Sequence, residues 1–73
     1  MGFKFKIKDK VYFYNKYCNE IYFGEIIDSR DSKYNWDYKI RYLVRADTNF
    51  SYDIWIEINY IDEKKENLFR LLH

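Results

Sequence analysis

The sequence predicts an all-β protein: a small barrel of about five antiparallel strands followed by a short C-terminal helix, in one domain of 73 residues. Strict two-fold alternation is the first observation behind this. From Lys33 to Tyr42, Tyr34, Trp36, Tyr38, Ile40 and Tyr42 share one parity, and Lys33, Asn35, Asp37, Lys39 and Arg41 share the other. That pattern describes a strand with one buried and one wet face. A second run sets Phe50, Tyr52, Ile54, Ile56, Ile58 and Tyr60 against Ser51, Asp53, Glu57 and Asn59, with Trp55 alone out of phase. The second observation is a switch to helical spacing at the end, where Leu68, Leu71 and Leu72 fall at i, i+3 and i+4. The third is size: a chain this short buries only about 60% of the surface its unfolded form exposes, so its core must be dense. Two tryptophans, nine tyrosines and six phenylalanines supply that density.

Taken in order, Phe3 to Val11 sets Phe3, Phe5 and Ile7 against Lys4, Lys6, Lys8 and Lys10, an extended arm leading into the first strand. Lysines on an edge strand block edge-to-edge pairing, and the same stripe is a candidate grip on phosphates. Val11 to Tyr14 forms a short aromatic strand, and Asn15 to Glu20 has the composition of a turn. Ile21 to Asp28 is the second strand. Gly24 interrupts it, which implies a bulge, a sharp bend or close backbone approach. Asp28 to Lys33 reads as a polar hairpin loop into the Lys33 to Tyr42 strand. Leu43 to Asn49 is a strand end and a turn, and the last alternating run reaches Ile58 or Ile61. The helix begins between Ile61 and Lys64, with Asp62 as its cap, so the barrel covers about 3–61 and the helix about 62–72. At this length the helix is stable only when docked on the barrel. Trp55, out of phase, needs a cover of its own, either that helix or the N-terminal arm.

Several function classes lack their residues. The single Cys18 has no partner for an internal disulfide, and with His73 as the only histidine there is no zinc set, so neither a metal nor a cofactor is expected. No apolar run approaches the ~20 residues of a membrane span, and the N-terminus lacks a signal-peptide core. A soluble protein of a reducing intracellular compartment follows. Only Gly2 and Gly24 are available for a glycine-rich loop, and no serine stands in a nucleophile-elbow context, so the reading is a binding module and not a freestanding enzyme. A formal net charge of +1 gives nucleic acid little general attraction.

Lys8-Asp9-Lys10-Val11, Tyr22 to Ile27, Tyr38-Lys39-Ile40-Arg41-Tyr42, Asp53-Ile54-Trp55-Ile56 and a closing Ile61 together resemble the chromo barrel domain. That family includes MRG- and MSL-type chromatin proteins and the knot-type chromodomains of MYST histone acetyltransferases. The resemblance spans about Lys8 to Ile61 and is strongest in the Tyr-x-Ile-x-Tyr and Asp-x-Trp-Ile strands. It implies an SH3-like, Tudor-like barrel that reads a methylated lysine of a histone tail through an aromatic cage. A methylated ammonium keeps its charge but loses N–H donors, so aromatic faces replace water at ~0.5 to 2 kcal/mol per good contact. Carried over by position, the cage residues are Tyr22, Tyr42, Phe50 and Tyr52, converging at one end of the barrel. Asp47 and Asp53 are candidate carboxylates for lower methyl states.

Two departures bear on function: Tyr52 stands where the family's readers usually have tryptophan, and Leu43-Val44 replaces the usual Gly-Trp. The resemblance therefore implies two alternatives. One is a nuclear histone-tail reader, a subunit or domain of a larger chromatin complex. The other is an RNA- or DNA-binding or nucleosome-docking module of an acetyltransferase with an incomplete cage, using Lys4, Lys6, Lys8 and Lys10.

Overall fold

Phe13 and Val11 point into the molecule from the first strand, and five antiparallel strands curl around them. The computed structural model describes the backbone of residues 4–34 and 37–73, and the side chains of 4–30 and 40–73. The strands are β1 (Lys10–Asn15), β2 (Glu20–Tyr34), β3 (Asp37–Ala46), β4 (Asp53–Glu57) and β5 (Ile61–Asp62), in the order β4-β3-β2-β1-β5 within one sheet. A 3-10 turn, Ile58–Tyr60, joins the last two strands, and a 3-10 helix, Lys65–Leu71, ends the fold. The architecture is a small all-β barrel, as the alternation requires.

Parity decides what is inside. Along β3, Tyr42, Val44 and Ala46 are buried while Arg41, Leu43 and Arg45 lie on the other face. These inward residues meet Val11, Phe13, Ile26, Ile56, Ile61 and Phe5 in one apolar cluster. Gly24 faces Val11 on β1 and Ala46 on β3. A Cβ there would stand 2.7 Å from the Arg45 carbonyl oxygen and 2.8 Å from Val44 Cγ1, so close approach is what the glycine permits. The irregularity in β2 falls further on, between Ile26 and Asp28.

Several boundaries differ from the sequence expectation. Asp28 to Lys33 is strand: β2 continues to Tyr34, which faces Asp37 across the pair. Pairing with β1 reaches only Glu25 and that with β4 covers only Arg41 to Arg45, so the outer part of the hairpin is a two-stranded ribbon. Paired only with β3, this stretch carries charged and polar residues at successive positions, Asp28 to Lys33, and so shows no alternation in the sequence. Asn35 and Trp36, and the side chains of Tyr34 and Tyr38, lie outside the described residues.

The N-terminal arm is not extended. Lys4–Asp9 folds into a bend and a turn, with Asp9 N–H donating to the Lys6 carbonyl and Lys6 N–H donating to Asp9 Oδ2, both within 3.0 Å. Lys8 sits at φ 79°, in the left-handed region, and the turn buries Phe5 while leaving Ile7 half exposed. Two-fold alternation does not survive a tight turn. Phe3 lies outside the described residues.

The closing helix is 3-10 and starts at Lys65, after the expected window. Three residues per turn place Leu71 above Leu68 and turn Leu72 aside. Accordingly Leu68 is buried, Leu71 half-buried and Leu72 exposed. This helix packs on β1 and β5. Trp55 is half-buried on the sheet's other face, where the Arg30 guanidinium lies 4.5 Å above its ring. Its cover thus comes from β2, whose length the sequence reading underestimated.

Candidate functional site

Two aromatic rings meet where β2 begins and β4 approaches. Tyr22 lies opposite Phe13 of β1, and their rings pack at 6.1 Å between centroids. Tyr52 precedes β4, and its carbonyl accepts the Ala46 N–H at 2.9 Å, which ties this segment to the end of β3. The Tyr22 and Tyr52 ring centroids are 6.4 Å apart with planes at 89°. Both residues are half-buried and rest against the apolar cluster, so each ring has one supported side and part of its surface open. The two rings thus meet at a right angle in a T-shaped contact, a corner at which part of each residue is open to solvent.

Polar neighbours hold the hydroxyl end of each ring. Tyr22 donates to Glu20 Oε2 at 2.6 Å and accepts the Cys18 thiol at 3.6 Å. Hydrogen bonding to Glu20, followed by that to Cys18, pushes the Tyr22 hydroxyl well above the ordinary tyrosine range, so it stays protonated and donating. The Tyr52 hydroxyl accepts from Asn15 Nδ2 at 3.2 Å. Asn15 is itself buried, and its Oδ1 accepts the Tyr17 N–H at 3.0 Å. The β1–β2 turn therefore supplies both anchors.

Convergence of four rings is not what the structure shows. Tyr42 is fully buried, edge-on to Phe5 at 5.2 Å between centroids, and its hydroxyl accepts the Phe5 N–H at 3.1 Å. It shares the inward parity of β3 with Val44 and Ala46, so it is a core residue and offers no open face. Phe50 is 87% exposed on the loop after β3, where the Thr48 hydroxyl donates to its carbonyl. One predicted cage ring has gone inside, one has gone out, and Tyr22 and Tyr52 remain together.

The predicted carboxylates are elsewhere. Asp53 binds Arg45 through both oxygens, at 2.9 and 3.2 Å, which holds its carboxyl below the usual carboxylate range. Asp47 follows β3, with its backbone N–H on the Phe23 carbonyl. Glu20, at the Tyr22 hydroxyl, is the carboxylate that sequence reasoning missed. Its signal was available, since residues two apart on a strand share a face. Asn15 gave no comparable signal, because a turn asparagine is explained by the turn alone.

Lys4, Lys6, Lys8 and Lys10 are all exposed, but the turn at Lys6–Asp9 prevents them from forming a stripe. Lys10 is paired with Glu25, and Lys4 lies 5.3 Å from the centroid of the Phe5 ring. No group of three or more His, Cys, Asp or Glu residues among the described residues could hold a metal ion, and no described helix is long and apolar enough to cross a membrane. No protein-family model, curated protein or solved structure matches the chain.

Proposed function

We propose that this chain is a binding module whose Tyr22–Tyr52 corner takes the methylated ammonium of a lysine, as a chromo-barrel-like reader of a histone tail in the nucleus. The observation that carries the reading is the pair of half-open rings at 89°, each with its hydroxyl already bonded. A cation over the part of either ring that stays open meets its negative quadrupole. Because Glu20 and Asn15 hold the rings in advance, little ordering cost remains for the ligand to offset. In this reading the chain binds and does not catalyse.

Two partly open rings make a shallow site, so affinity in the micromolar to millimolar range is expected. The test is titration of the folded protein with trimethylated, dimethylated and unmethylated lysine peptides from histone tails, followed by NMR. Methylated peptides should shift the amides of Tyr22 and Tyr52 in preference to the unmethylated one. Tyr22→Ala and Tyr52→Ala, each checked for retained folding, should each weaken binding roughly 2- to 30-fold, the loss of one cation–π contact. Equal response to all peptides would discard the reading.

Phosphate binding through Lys4, Lys6, Lys8 and Lys10 is the competing reading, favoured only by the exposure of the four lysines. Asp9 bonded within the same turn and Glu25 paired to Lys10 place negative charge where phosphate oxygens would have to sit. Salt separates the two readings: phosphate contacts weaken steeply as salt rises, while a ring-bound ammonium responds little. Steep salt dependence, lost on neutralising these lysines and not on removing Tyr22, would transfer the function to nucleic acid.

A further inference from the structure

We propose that the groove between the start of β2 and the C-terminal 3-10 helix is a contact between two copies of this chain, related by a two-fold axis that runs along the groove. One wall carries Asn19, Glu20 and Ile21 and the other Lys65, Phe69 and Leu72, around an open space of about 350 Å³. Three residues per turn bring Phe69 and Leu72 into line, one turn apart. Phe69 is 50% exposed and Leu72 42%, so this ridge stays open while Leu68 is buried. Across the groove Ile21 is half-buried.

Asn19 ties the two walls together. It sits at φ 55°, in the left-handed region, and its Nδ2 donates to the His73 carbonyl at 3.3 Å. Its Oδ1 accepts the His73 N–H at 3.1 Å and the Tyr14 hydroxyl at 3.0 Å. The chain beyond the helix is thereby fastened to the β1–β2 turn. The groove has its shape before anything docks, which keeps the ordering cost of the contact small.

Charge selects the occupant. Glu20 and Lys65 are exposed on opposite walls, and among the described residues the Lys65 ammonium has no hydrogen-bond or ion-pair partner. Glu20 accepts the Tyr22 hydroxyl through Oε2 and keeps acceptor capacity to spare. A strip of apolar residues with one charge of each sign on its two sides is complementary to itself. Rotation about an axis along the strip sets each wall against the opposite wall of the second copy, so Glu20 meets Lys65 twice and the Phe69–Leu72 ridge meets Ile21 twice. A partner carrying one sign of charge would suit one wall and be repelled by the other. The β4 edge, at the end of the sheet, is the competing route to self-association, and its fullest antiparallel register sets Asp53 against Glu57 in both directions.

Three apolar residues a side make a contact smaller than a standard protein interface, so a dissociation constant on the order of 10–1,000 µM is expected. Sedimentation equilibrium of the full chain across that range measures it. Phe69→Ser, an exposed position, should weaken association at least about tenfold. Lys65→Glu and Glu20→Lys, each checked by circular dichroism, should each weaken self-association roughly three- to tenfold, because every charge contact becomes a like pair. Mixed with each other, the two single variants should recover the affinity of the unaltered chain to within about threefold, since every contact is again between opposite charges. A chain that stays monomeric up to about 1 mM overturns the proposal. So does association that Phe69→Ser leaves unchanged, and so does a mixture of the two charge variants that binds no better than either alone.

Discussion

Tyr42 and Tyr22 are both strand tyrosines, and their surroundings assign them opposite work. At Tyr42 the whole ring is inside and the hydroxyl accepts the Phe5 N–H, so its oxygen satisfies a buried backbone donor. Tyr42→Phe should therefore cost roughly 1–3 kcal/mol in urea unfolding, the penalty for orphaning that N–H, while ligand affinity stays within about twofold. A large loss of affinity in the folded variant would return Tyr42 to the site. Gly24→Ala should also destabilise, by roughly 1–3 kcal/mol, because its Cβ would meet the Arg45 carbonyl oxygen, a backbone atom of the neighbouring strand. Equilibrium unfolding measures this directly, and a neutral result would mean that β3 yields more easily than its pairing suggests. Sequence parity put Tyr42 on the apolar face correctly. It did not decide between a core ring and an open ring on that face, because both occupy the same register.

The elements were legible in proportion to how one-sided their environment is. β3 and β4 show in the sequence because one face is buried, whereas the outer part of β2 pairs with β3 alone and its run of polar and charged residues reads as a loop. The same blind spot hid the cover of Trp55, since Arg30 belongs to that stretch. With Trp36→Phe as background, Arg30→Ala should shift the Trp55 emission to longer wavelength and cost about 0.5–1 kcal/mol, the value of an exposed cation–π contact. An unchanged spectrum would show that the guanidinium does not shield the indole. The spacing of Leu68, Leu71 and Leu72 predicts a helix capped by Asp62; the cap position is instead Lys64, with no side-chain cap bond, while Asp62, in β5, accepts the Lys64 N–H at 2.9 Å and Asn67 Nδ2 at 3.1 Å through its Oδ1. Asp62→Ala should free this segment from β1 and β5, at a cost of about 1 kcal/mol. Faster hydrogen exchange confined to residues after Asp62 is the signature to seek.

At the scale of the whole molecule, three carboxylates titrate in the same direction. Glu25 is held below its ordinary value by hydrogen bonding to Lys10, Asp53 by Arg45, and Asp62 first by the Lys64 backbone N–H and then by the Asn67 side chain. In each case the folded state binds its proton less readily than the unfolded state does. Their contribution to stability is therefore complete above the unfolded carboxylate values and is lost as the pH falls through the lower folded ones. The melting temperature should stay level from neutral pH down to the ordinary carboxylate range and decline below it. Salt divides the effect by cause. Lys10–Glu25 and Arg45–Asp53 are exposed ion pairs, so added salt should flatten their part of the acid slope. Asp62 is held chiefly by a backbone N–H at short range, and its part should persist. Glu25→Gln with Asp53→Asn should accordingly remove the salt-sensitive portion, and Asp62→Asn the remainder, since each amide keeps an acceptor but cannot titrate. Thermal melts across pH at low and high salt provide the measurement. Stability that rises on acidification would contradict all three assignments at once, because it would require the folded chain to hold these protons more tightly than the unfolded one.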